Sequence, residues 1–157
     1  MEWIHFLRWL HVIGAAVLLG TGAGIAFFML MAHRTNDAKL IAHTASIVVI
    51  ADWVFTASAV IVQPVTGAAL ALAVGWRLTE GWILASLALY VVTGVFWIPV
   101  VFMQRRMRDL AREAVRVNGP LPPDYFRLYS RWFAFGFPAF FAVLAIIWLM
   151  IARPAIG

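Results

Sequence analysis

WIHFLRWLHVIGAAVLLGTGAGIAFFMLM, residues Trp3 to Met31, carries no formal charge between Arg8 and Arg34. About 20 apolar residues suffice to cross roughly 30 Å of hydrocarbon. Backbone groups in lipid have to be satisfied within the segment, so the run reads as a transmembrane helix. Its apolar part is too long for a signal peptide, Glu2 makes its start acidic, and small residues continue far past any cleavage site. A cleaved leader is therefore not expected.

Three further apolar runs follow. One lies within Ile41 to Val74, one spans Trp82 to Met103, and the last spans Trp132 to Met150. The second is too long for a single crossing, because 34 residues extend about 51 Å as straight helix. The short Gly75–Gly81 turn leads directly into Trp82, which favours a crossing from about Ser46 to Val74 with a kink at Pro64. The fold class is accordingly all-α. One membrane domain over 1–157 forms a four-transmembrane-helix bundle, with spans at about 3–31, 46–74, 82–103 and 132–150. Trp3, Trp76, Trp82 and Trp132 fall near the ends of these spans, as an interfacial aromatic belt requires.

Composition narrows the function classes. Of the 157 residues, 64% are hydrophobic and only 12% charged, too few charges to cover a soluble domain. No cysteine is present, which excludes disulfides, thiolate metal sites and cysteine nucleophiles. The net charge of +5 does not point to nucleic acid, because nine of the twelve basic residues fall in just two connections. These are Arg34 and Lys39 after the first span, and Arg105, Arg106, Arg108, Arg112, Arg116, Arg127 and Arg131 after the third. The positive-inside rule then places those connections in the cytoplasm and both termini outside, in the periplasm of a bacterial inner membrane. Within the long loop, Met107, Leu110, Ala111, Ala114 and Val117 recur at helical spacing, which predicts a basic cytoplasmic helix between the third and fourth spans. Asn118-Gly119-Pro120 ends it. This segment either lies on the interface or extends the third helix into the cytoplasm.

Few residues in the spans carry chemistry. His11 lies about 12 Å below the outer surface counting from Trp3, or nearer 6 Å if Met31 is also in lipid. An intramembrane imidazole can ligate haem iron, relay protons or bond a neighbouring helix. Arg8, one turn outward on the same face, can pair with a haem propionate or a carboxylate, or snorkel to the surface. Asp52 is the only acid well inside a span. One register of the second span brings it toward Arg105 or Arg131 for a salt bridge, the other brings it level with His11 for a relay pair. Gln63, Thr66 and Tyr90 fall closest to the His11 layer, and Gln63-Pro64 combines a side-chain amide with a freed carbonyl. Gly20 and Gly24 form a small-xxx-small pair suited to close helix packing, within the chain or against a homo-oligomeric or other membrane partner. The GTGAG string there follows no strand and is not a nucleotide loop. His33 and His43 flank the first basic connection, with no acidic cluster beside them, and His5 reads as interfacial.

DWVFTASAVIVQPVTG from Asp52, GWILASLALYVVTGVFWIPVVFMQ from Gly81 and LPPDYFRLYSRWFAFGFPAF from Leu121 resemble a bacterial integral-membrane family of unknown function, domain of unknown function 2269. The resemblance covers essentially the whole chain and implies a four-helix inner-membrane protein without assigning an activity. Arg8-Trp9-Leu10-His11-Val12-Ile13-Gly14, Gly67 and Gly81-Trp82 are more distantly similar to the J-type membrane protoporphyrinogen oxidases and the D-type copper-resistance membrane proteins. In the oxidases a histidine early in the first helix is associated with haem b, and His11 matches it. The resemblance thus implies haem b on His11. The oxidases' functional lysine and its neighbouring histidine correspond here to Ser86 and Leu84, so their reaction is not implied. A non-catalytic accessory or structural subunit is the alternative reading. Proton or small-ion transport along Asp52 and His11 is a third.

Overall fold

The structure, a computed structural model, describes residues 2–156. Its helices are α1 (Glu2–Arg34), α2 (Ala38–Ala51), α3 (Ala57–Val74), α4 (Gly81–Arg116) and α5 (Pro123–Ala152). A π-helical turn, Asp52–Thr56, joins α2 to α3, so the two form one rod from Ala38 to Val74. Four rods long and apolar enough to cross a membrane result. The break in the second rod therefore falls at Asp52–Thr56, and the chain stays α-helical through Pro64.

Local chemistry sets the rod ends. Asp37 caps α2, its carboxylate accepting from the backbone N–H of Lys39 at 2.7 Å and of Leu40 at 3.4 Å. At the far end of α3, Gly75 takes φ +89°. Its N–H bonds the Leu72 carbonyl, and the Trp76 N–H reaches back to Ala71, which is the Schellman pattern. The same pattern closes α4, with Asn118 at φ +51° and Gly119 bonded to Ala114. Pro123 occupies the first turn of α5, where its missing N–H costs nothing.

Among the described residues there is no separate loop helix. Gln104–Arg116 continues α4 without interruption, because nothing between Met103 and Arg116 breaks a helix. Met107, Ala111 and Ala114 are buried as their spacing predicts, whereas Val117 is exposed beyond the helix end.

The rods surround one another in a ring: α1 packs on the second rod and on α5, and α4 packs on α2 and α5. The tightest core lies at the end that carries the arginine-rich connections, here the basic end. Met29, Ile41, Met107 and Tyr125 are the largest fully buried side chains. Ile41, Met107 and Tyr125 lie beyond the apolar spans, where water drives apolar groups together. His33 joins this core, stacked 3.5 Å from the Tyr129 ring with its Nδ1 3.4 Å from the Tyr125 hydroxyl. Within the spans, by contrast, Ile61, Val91 and Phe102 point outward, because hydrocarbon offers such side chains no reason to turn in. Trp132 and Trp82, both near span ends, turn into the bundle and are buried.

The opposite end is closed by a smaller cluster of Ala71, Trp82 and Ile83, with Trp76 and Met150 packed against it. The C-terminal tail returns across it. A Cβ on Gly81 would lie 1.8 Å from the Ile156 carbonyl oxygen, so only glycine fits beneath the tail. A Cβ on Gly20 would meet no atom within 4 Å and one on Gly24 only Phe28 of its own helix at 4.0 Å, so the Gly20/Gly24 pair mediates no close packing among the described residues.

Met107→Ala is expected to lower stability by about 2–5 kcal/mol, and Val91→Ala to change it by less than about 0.5 kcal/mol. Reversible unfolding in detergent, followed by circular dichroism, compares the two. Gly81→Val should displace the tail, seen as faster proteolysis of the C-terminal segment than in the wild type.

Candidate functional site

Two polar nodes tie the rods together. The first joins α1 to α3. His11 Nδ1 lies 2.9 Å from the Thr66 hydroxyl oxygen. That hydroxyl already donates to the Val62 carbonyl at 2.8 Å, with the Gln63 carbonyl at 3.2 Å as its alternative acceptor. With the Thr66 proton given to Val62, the tautomer assigned to the neutral imidazole donates from Nδ1, and Nε2 keeps its lone pair. Among the described residues no protein group bonds Nε2. Gln63 Nε2 donates to the His11 carbonyl at 3.1 Å, holding the helix from the other side.

The approach of the two helices needs glycines. A Cβ on Gly67 would lie 3.0 Å from His11 Cε1, and one on Gly14 would lie 3.2 Å from the Gln63 amide. Gln63 Oε1 is buried and has no partner among the protein groups. Tyr90 falls near this layer as expected but does not bond His11. Its hydroxyl donates to the carbonyl of Val60, the group that Pro64 leaves without its helical N–H. Arg8 is exposed and makes no hydrogen bond or ion pair among the described residues.

The second node lies toward the basic end, at the start of the π turn. Asp52 is buried there, with 3% of its surface exposed. One carboxyl oxygen accepts from the Trp97 indole N–H at 3.3 Å. With the Gln104 amide assigned so that its NH2 faces Asp52, the other accepts from that NH2 at 3.1 Å and the Gln104 carbonyl accepts from the Trp132 indole at 3.1 Å. Three rods thus meet through neutral donors. The salt bridge to Arg105 or Arg131 is not formed, because Arg105 lies over the Trp53 ring, 4.8 Å from its centroid, and Arg131 is exposed. The relay pair with His11 is not formed either. Fourteen residues separate Asp52 from Thr66, about 21 Å along the rod. Thr56, one turn beyond Asp52, has a buried hydroxyl with no partner.

The π turn itself shifts the helical register by one residue. The Ala57 N–H bonds the Asp52 carbonyl five residues back, and Ser58 donates to the Val54 carbonyl at 2.6 Å. The roles of Trp97, Gln104 and Trp132 were not anticipated from the sequence. A signal was there: Trp97, Val100, Gln104, Met107 and Ala111 recur at helical spacing, and Gln104 is the polar member of that stripe.

The sequence profile of DUF2269, described as a predicted integral membrane protein, matches residues 5–154. The chain belongs to this family. No curated protein and no solved structure matches the chain. The likeness to the protoporphyrinogen oxidases and copper-resistance proteins finds no support in these comparisons. In this DUF2269 member, Ser86 is buried and donates to the Trp82 carbonyl at 2.8 Å, and Leu84 is exposed. His33 faces Tyr129, and His43 is exposed.

Asp52→Asn replaces an acceptor with an amide that cannot satisfy Trp97, Gln104 and Trp132 together. It should cost about 1–3 kcal/mol, as should Gln104→Leu. The double variant is expected to lose less than the sum, because both changes break one network. Unfolding in detergent across the four proteins measures that coupling.

Proposed function

We propose that the chain is a multi-pass protein of the bacterial inner membrane that binds haem b through His11 and takes part in a redox-linked process. One observation carries this reading. Nδ1 is committed to Thr66, whose own proton is committed to the second rod, so Nε2 is left as a ligand-competent lone pair. An imidazole oriented from behind in this way is the usual arrangement of a metal-ligating histidine. His11 would be the residue of this chain that holds the iron. Thr66 and Gly67 set the ring, and Arg8, free of partners among the described residues, supplies a cation for a propionate. A second histidine at the same depth is lacking: His33 and His43 belong to the basic end, and His5 lies further out. Bound haem supplies one-electron chemistry.

The arginine-rich connections support an orientation with the basic end in the cytoplasm and the opposite end in the periplasm. A second reading, a non-catalytic subunit of a membrane complex, draws on the Gly20/Gly24 surface of α1, which no other helix covers. Stable co-purification of a partner with colourless protein would favour it.

Protein purified from haem-replete cells is expected to show a Soret band that His11→Ala abolishes. Thr66→Val should keep the band but shift it, because the ring loses its Nδ1 acceptor. Colourless wild-type protein would overturn the haem reading.

A further inference from the structure

A groove of about 240 Å³ opens sideways between the second rod and α4, toward the basic end. Trp53, Trp97, Ile98 and Phe102 line it together with the buried Asp52 and with Arg105. Trp53, Ile98 and Phe102 are each more than half exposed on the outer surface of the bundle. They belong to apolar spans, so this groove faces hydrocarbon. Arg105 stands two residues past Met103, where the apolar run ends, and is held over the Trp53 ring.

Arg108, Arg116 and Arg127 each have an acid of their own, in Asp109, Glu113 and Asp124. Arg105, Arg106, Arg112 and Arg131 have no ion pair among the described residues, and of these four Arg105 is the one that lines the groove. Asp52, in the same groove, forms no ion pair with it and is bonded instead to the neutral donors Trp97 and Gln104. A guanidinium fixed at the end of an apolar span, above an apolar groove and without an acid, matches a phosphate in charge and geometry.

We propose that this groove is a binding site for an anionic phospholipid of the leaflet at the basic end. The phosphate sits on Arg105 and one acyl chain lies between Trp53 and Phe102. Anionic lipid is attracted to such basic ends. A second copy in the same membrane orientation fits poorly, because it would bring its own arginine-rich end against this one. The inference does not depend on the reading of His11.

The test is native mass spectrometry of the intact chain in mild detergent, with quantification of the co-extracted phospholipid against whole membrane. Wild type is expected to retain a phospholipid enriched in anionic headgroups. Arg105→Gln should reduce retention by roughly fivefold, and Arg105→Lys should restore part of it. Arg116→Gln, which removes an exposed and already paired arginine, should leave retention unchanged. Ile98→Trp, which fills the groove without altering charge, should also reduce it. Three results would overturn the proposal: equal retention in Arg105→Gln, retained lipid with the composition of the whole membrane, or cross-linking from Phe102 that captures a second copy or another protein.

Discussion

Apolar side chains in hydrocarbon gain little by turning inward, because the lipid tails outside are as apolar as the core they would join. The bundle depends on that constraint. Its rods are closely packed where they emerge into water, around Met107, Ile41 and Tyr125, and again at the opposite end around Trp82. Between those ends, large side chains face the lipid and other forces have to position the rods. The long extensions past the apolar spans are therefore structural. They carry apolar side chains into water, where burial is favourable.

Polar contacts do the positioning within the spans. Asp52 draws donors from α4 directly and involves α5 through Gln104, so it specifies the rotation of three rods at once. His11, Thr66 and Gln63 perform the same task for α1 against α3, with Gly14 and Gly67 providing room. Such bonds contribute modestly each in a membrane, about 0.6 kcal/mol on average. Their value lies in direction, since only one rotation of each rod satisfies them. Thr56 and Gln63 Oε1, buried without protein partners, mark where this satisfaction is incomplete.

Much of the fold was legible because hydropathy and charge are summed over long segments. Four apolar runs, the Asn118-Gly119 stop and the buried face of Met107 and Ala111 needed no knowledge of neighbours. The contact of His11 with Thr66 and Gln63 was also accessible, since both elements had an approximate depth. What failed depended on partners or on a single residue of register. No run of letters announces a π turn, and it alone decides which way Asp52 points. Trp132 looked interfacial because position along a helix was visible and rotation about its axis was not. Arg105 was read as a partner for an acid, when the nearer attraction was the face of Trp53.

The bond from Tyr90 to the Val60 carbonyl has an evolutionary corollary. Pro64 opens the gap in the α3 ladder and the tyrosine hydroxyl on α4 closes it. A residue with its own N–H at position 64 would restore the helical bond and leave the hydroxyl without an acceptor. Phenylalanine at position 90 beside an unchanged proline would strand the carbonyl in the membrane. The two sites are thus bound as a pair, and in the history of the family they should be inherited or exchanged together.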